Sequence, residues 1–174
     1  MIDDPQPAQG ERPLVPDLPT GIPGVELRQL SSRDAPALFN LVARSRAHLT
    51  QFGDYAELAT ATLAELQAGF SEPPGPNLRM GIWRGQELMG EVDLNPVAPR
   101  TYVLGYWIGA EYTGHGYMTA ACQALMDYAR RELHPVEFWA GVRQANRKSV
   151  ALVERLGFSL FEELPTHNRY RLQC

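Results

Sequence analysis

At 174 residues, 44% of them hydrophobic and 21% charged, the chain is sized for one domain with its own core, since domains run about 100 to 200 residues. Two cysteines, Cys122 and Cys174, make neither a disulfide framework nor a metal-ligand spacing, and no run approaches the ~18 apolar residues of a membrane span. Disulfide-rich secreted and membrane classes are thereby excluded, no metal is expected, and a cytoplasmic location is. The net charge of −4 is unevenly divided: residues 1–99 carry 13 acidic and 7 basic side chains, a net −6, and residues 100–174 carry 7 and 9, a net +2. A weakly basic C-terminal part suits a phosphorylated small molecule rather than a nucleic acid, which requires a dense Lys/Arg stripe.

Residues 1–23 hold Pro5, Pro7, Pro13, Pro16, Pro19 and Pro23 with almost no apolar periodicity, the pattern of a flexible tail, so the domain is expected over 24–174. Val25 to Leu30 alternates as a half-buried strand. Ser31 or Ser32 caps a helix predicted over 33–48, with Leu38, Leu41, Val42 and Ser45 on its apolar side. A second helix is predicted from Ala59 to Phe70, ended by Glu72-Pro73-Pro74-Gly75-Pro76. Three strands follow, Leu78 to Arg84, Glu87 to Asn95 and Thr101 to Ile108, with connections short enough for an antiparallel meander. A long helix runs from Gly116 or Tyr117 to Leu133, burying Met118, Ala121, Cys122, Leu125 and Ala129, and Pro135 stops it. Then come a strand from Val136 to Val142, a helix from Asn146 to Leu156 with Gly157 closing it, and strands from Phe158 to Glu163 and Asn168 to Leu172. The order is that of a mixed α+β domain.

Chemistry concentrates where Gly105-Tyr106-Trp107-Ile108 leads into Tyr112-Thr113-Gly114-His115-Gly116-Tyr117-Met118-Thr119 at the start of the long helix. Gly114 and Gly116 let the backbone turn tightly, and the first N–H groups of the helix lack intrahelical partners, so the turn is a cradle for an anion such as a pyrophosphate. A Walker loop is excluded because the chain's one lysine is Lys148, and a dinucleotide fingerprint because its third glycine is missing. Downstream, Asn146 is placed to cap the helix that carries Ser149, and Gly157-Phe158 turns the chain into a new strand.

These stretches resemble the GNAT N-acetyltransferases, and within them the RimJ/RimL branch. The resemblance runs from about Val25 to Leu172 and is most specific in GYWI at 105–108, YTGHGYMT at 112–119 and NRKSVALVERLGF at 146–158, with DAPALFNLVARSRAHL at 34–49 in support. It implies a mixed, mainly antiparallel sheet splayed at its centre and flanked by helices on both faces. It also implies acetyl-CoA as co-substrate, held by backbone groups of Tyr106, Trp107 and Ile108 along the pantetheine arm. Thr113, Gly114, His115, Gly116, Tyr117, Met118 and Thr119 would take the pyrophosphate, and Asn146 and Ser149 would face the pantetheine arm and the sulfur end. The acceptor would be an amine, either a protein N-terminus or a small antibiotic-like molecule, and a homodimer is plausible by resemblance alone. Two positions depart from the branch's habit: Thr113 stands where Gln or Arg is usual, and Val103 where a glutamate is.

Acetyl transfer to an amine needs a base, an oxyanion donor and a proton for the leaving thiolate. By family position Ser149 supplies the proton, and a backbone N–H near Trp107 or Ile108 the oxyanion contact. Glu91 and Asp93 alternate with apolar neighbours and share one strand face, so mutual proximity and burial would raise one pKa toward neutrality, as a base needs. Glu162, Glu163 and His167 in the terminal hairpin are further candidates, and His48 a substrate-loop residue. Asp54, Glu57 and Glu65, with no nearby cation in sequence, suggest an acidic wall attracting a protonated amine. The competing class is a coenzyme A-binding sensor that keeps the fold without turnover.

Overall fold

The computed structural model describes residues 14–70 and 75–174. Eight strands form one sheet: β1 (Leu18–Pro19), β2 (Val25–Gln29), β3 (Leu78–Arg84), β4 (Glu87–Ala98), β5 (Thr101–Ile108), β6 (Glu137–Val142), β7 (Ser159–Glu163) and β8 (Asn168–Gln173). Their order is β1-β2-β3-β4-β5-β6-β8-β7. All neighbours run antiparallel except β5 and β6. That parallel pair needs a crossover, which α4 (Tyr117–Glu132) supplies.

The helices pack by their apolar stripes. In α1 (Ala35–Leu49), Leu38, Leu41, Val42 and Ser45 are buried, as their spacing predicts. Ser45 is tolerated inside because its hydroxyl accepts the Ala110 N–H at 3.3 Å. In α4 the buried set is Met118, Ala121, Cys122, Leu125, Met126 and Ala129. The helix α5 (Arg147–Arg155) buries Leu152 and Val153 and packs on β6.

Two expectations are corrected. The second helix is in fact a pair, α2 (Ala56–Thr60) and α3 (Leu63–Ala68), broken at Ala61, whose ψ of 138° is extended. The break follows from Thr62, which starts a new helix through a capping box: its hydroxyl accepts the Glu65 N–H at 3.2 Å, while Glu65 accepts the Thr62 N–H at 2.7 Å. The tail also ends earlier than Gly24. Val15 and Leu18 are buried, the Val15 N–H donates to Gln29 Oε1 at 2.8 Å, and β1 pairs with β2. Two apolar side chains three apart among prolines carry no periodic signal, yet they suffice to hold an edge strand. The remainder of the expected tail, 1–13, and residues 71–74 of the predicted helix stop lie outside the described residues.

What positions the site is the join between β5 and β6. Their pairing covers only Thr101↔Glu137, Tyr102↔Phe138 and Val103↔Trp139. Beyond Trp139, β6 continues against β8 alone, while β5 continues against β4 to Ile108. The sheet therefore splays at its centre.

Candidate active site

The splay exposes one backbone edge of β5. The Gly109 N–H donates to the Met89 carbonyl at 2.8 Å, and the Arg100 carbonyl accepts from Val136 N–H at 2.8 Å. Because backbone groups alternate along a strand, odd-numbered residues of β5 turn their N–H and C=O to β4, and Leu104, Tyr106 and Ile108 aim theirs into the splay. This corrects one expectation. Trp107, paired with Glu91, spends its backbone groups on β4, so of the three residues assigned to the pantetheine arm Tyr106 and Ile108 are the ones that turn their backbone groups into the splay. Of the two candidate oxyanion donors, the Ile108 N–H is the one so aimed.

At the C-terminal end of β5 the chain passes through a short turn, Ala110–Tyr112, into the glycine cradle. Gly114 and Gly116 have φ of 82° and 79°, the left-handed region that glycine adopts without strain. No side chain caps α4, and its first turn carries no acidic residue. Its orphan N–H groups and positive dipole end are thus left for an anion. A Cβ built on either glycine meets nothing within 4 Å, so the cradle opens outward. These features fit the pyrophosphate of acetyl-CoA. His115 stacks on Tyr117 with ring centroids 5.4 Å apart, and Arg155 donates to the Thr119 hydroxyl at 3.2 Å.

Across the splay, Asn146 caps α5 as expected: its Oδ1 accepts the Ser149 N–H at 3.1 Å. The Ser149 hydroxyl and the Tyr106 phenol share a hydrogen bond of 2.5 Å. Burial pushes the Tyr106 pKa well up, so the phenol keeps its proton. The Tyr106 side chain was not anticipated in the sequence, where this residue counted for its backbone alone. Its only clue is that it alternates with Gly105 and Trp107 and so lies on the face opposite to Trp107.

The two strand carboxylates behave differently. Glu91 is 4% exposed and forms a two-point ion pair with Arg79, at 2.6 and 3.2 Å, and Arg79 also lies 4.4 Å from the Phe70 ring. Asp93 has no such partner; it accepts from the Asn95 amide. Burial first, then the Glu91 charge, raises its pKa to about 6. Gly105 lies opposite Asp93 in the register, and a Cβ there would fall 2.5 Å from Asp93 Oδ2, so the glycine of GYWI makes room for this carboxylate. Asp93 and Gly105 share one sheet face, and Val92 and Tyr106 share the other.

Around the splay, Arg143, just past β6, donates to Asp54 at 2.9 Å and to the Thr166 carbonyl at 3.3 Å. The Tyr55 phenol donates to the Tyr106 carbonyl at 2.6 Å. The acidic wall is therefore not assembled as expected: Asp54 is neutralised by Arg143 and Glu65 is occupied in capping α3, which leaves Glu57 in the first turn of α2. Asp54 and Arg143 are 89 residues apart, a pairing with no local signature. In the hairpin, Glu162 pairs with Arg169 at 3.0 Å, and His167 packs 3.5 Å from where a Gly141 side chain would start. His48, at the end of α1, has its pKa lowered by burial and then by the Lys148 charge, so its imidazole is neutral at pH 7. Among the described residues, no group of three or more His, Cys, Asp or Glu could hold a metal, and no helix is long and apolar enough to cross a membrane.

A sheet splayed beside a parallel pair, with a glycine cradle at the N-terminus of the crossover helix, defines an acetyltransferase of the GNAT type. The chain belongs to that family: the model of the acetyltransferase (GNAT) domain matches residues 25–159. It is an N-acetyltransferase that uses acetyl-CoA. A curated relative, "Putative ribosomal N-acetyltransferase YdaF" of Bacillus subtilis (strain 168), is 29% identical over 145 residues, 77% of each chain. Among solved structures, the ribosomal L7/L12 alpha-N-protein acetyltransferase RimL, in complex with coenzyme A, superposes with a TM-score of 0.76 at 24% identity, covering 91% of this chain and 98% of that one. Mycobacterium smegmatis RimJ, in complex with CoA-disulfide, gives 0.72 at 22% identity, covering 90% and 84%.

Proposed function

We propose that this cytoplasmic enzyme acetylates the N-terminal amine of a protein by direct attack in a ternary complex, with Asp93 as base and Ser149, held by Tyr106, as proton donor. The observation that carries the mechanism is the placement of the two groups. Asp93, on β4, lies on one face of the sheet and the Tyr106 side chain, on β5, on the other, so proton removal and proton delivery fall on opposite faces of the sheet beside the splay. That separation suits a displacement in which the amine arrives on one side and the thiol leaves on the other.

Bound acetyl-CoA supplies an activated thioester carbonyl. Asp93, ionised above about pH 6, takes the proton from the incoming amine. The Ile108 N–H is aimed to donate to the carbonyl oxygen as charge develops there. Ser149 Oγ holds a proton at the opposite side for the leaving thiolate, and the Tyr106 phenol, which keeps its own proton, orients that hydroxyl from 2.5 Å. Glu91, locked to Arg79, is left out of the chemistry and acts on Asp93 through its charge.

A protein N-terminus is favoured over a small amine by what the relatives' names state of those proteins, RimL above all. The deciding experiment measures thiol release from acetyl-CoA across a panel of N-terminal peptides and small amines. Peptide-dependent release carries the proposal. Release with small amines alone would replace the acceptor class, and coenzyme A binding with no amine-dependent release would replace the enzyme by a sensor.

A further inference from the structure

The segment between α1 and α2 reaches over the splay and holds both of its walls. Tyr55 donates its phenol proton to the Tyr106 carbonyl on β5 at 2.6 Å. Its neighbour Asp54 pairs with Arg143 at the end of β6 at 2.9 Å, and Arg143 continues to the Thr166 carbonyl in the β7–β8 turn. Two consecutive residues thus tether one segment to the two strands that part. The backbone of Tyr55 has φ of 56°, a left-handed conformation that a bulky side chain adopts only when its surroundings impose it, and Gly53 is left-handed too, at 81°.

The Tyr106 carbonyl is one of the backbone groups that β5 turns into the splay, where β6 no longer pairs with it. An amide-bearing arm lying along that edge would take the place of the missing strand and compete for this acceptor. We infer that residues 50–55 form a clasp, in which Tyr55 holds the Tyr106 carbonyl and Asp54 holds Arg143 while the splay is free, and which acetyl-CoA opens on binding. The inference rests on the acetyltransferase reading.

The test uses coenzyme A as the probe and the full chain. Calorimetry on Tyr55→Phe, which keeps the ring and removes the competing donor, is expected to show coenzyme A bound about 2- to 12-fold tighter, the range a net hydrogen bond contributes. Asp54→Asn, a second route to the same loosening, is expected to shift affinity in the same direction. In the wild-type protein, saturating coenzyme A is expected to speed hydrogen exchange of the amides in 50–55. Unchanged or weaker binding by Tyr55→Phe, or slower exchange of that segment, overturns the clasp while leaving the acetyltransferase standing. A wild-type protein that fails to bind coenzyme A overturns both.

Discussion

Asp93 and Glu91 are two carboxylates on one face of one strand, and what separates their roles is the partner each finds. Glu91 meets Arg79 and is held in a two-point ion pair; Asp93 meets burial and a like charge, and its pKa rises to about 6. A raised carboxyl pKa means that the folded state binds the proton more tightly than the unfolded chain. This residue's stabilising contribution is therefore full below about pH 4 and is lost as the pH climbs through about 6. From that follows a paired outcome for Asp93→Asn at pH 7: folding stability increases by up to about 3 kcal/mol, read by chemical denaturation, while kcat falls by about 10²- to 10⁴-fold. In the wild-type enzyme the rate should rise along an acid limb centred near pH 6; a flat profile from pH 5 to 8 would remove Asp93 as base. Arg79→Ala should act in the opposite sense on folding. It strands the buried Glu91 carboxylate and lowers stability by about 3 to 5 kcal/mol, seen as a drop in denaturation midpoint.

At the scale of elements, the proposed site divides the work of holding one extended donor between the cradle and the splay. The cradle depends on two left-handed glycines ahead of α4, so Gly116→Ala introduces strain of about 1 to 2 kcal/mol and turns the first amides of the helix away from the pyrophosphate. Coenzyme A affinity measured by calorimetry should weaken by roughly tenfold with the fold intact. The link between β5 and α5 is the Tyr106–Ser149 hydrogen bond. Ser149→Ala and Tyr106→Phe should each lower kcat with little change in coenzyme A affinity, and the double variant should cost little more than either single one, as expected of groups acting as a unit. Losses that multiply would mean that the two hydroxyls serve separate steps.

At the scale of the whole molecule, ligand binding and folding are linked. Coenzyme A at about 100 times its Kd should stabilise the protein by roughly 2.7 kcal/mol and raise its Tm; no shift would argue against a coenzyme A site anywhere in the fold.

Sequence by itself determined most of the elements and the local features of the candidate site. Strands β3 and β5 coincide with their predicted bounds, since alternation over seven or eight residues between turn signals is a local property. The cradle and the Asn146 cap were legible for the same reason: positive-φ glycines and helix caps act within a few residues of themselves. Tertiary structure decided everything that depends on residues far apart in the chain. The splay arises because β6 leaves β5 after three residue pairs, and that departure settles which backbone groups of β5 are free to face a ligand, setting Trp107 aside. The proposal of Asp93 rather than Glu91 as base rests on an arginine from another strand, and the tie between Asp54 and Arg143 spans 89 residues. Local patterns record what a residue does to its own backbone, whereas pKa values, ion pairs and the edges of a sheet depend on neighbours that only the folded chain brings together.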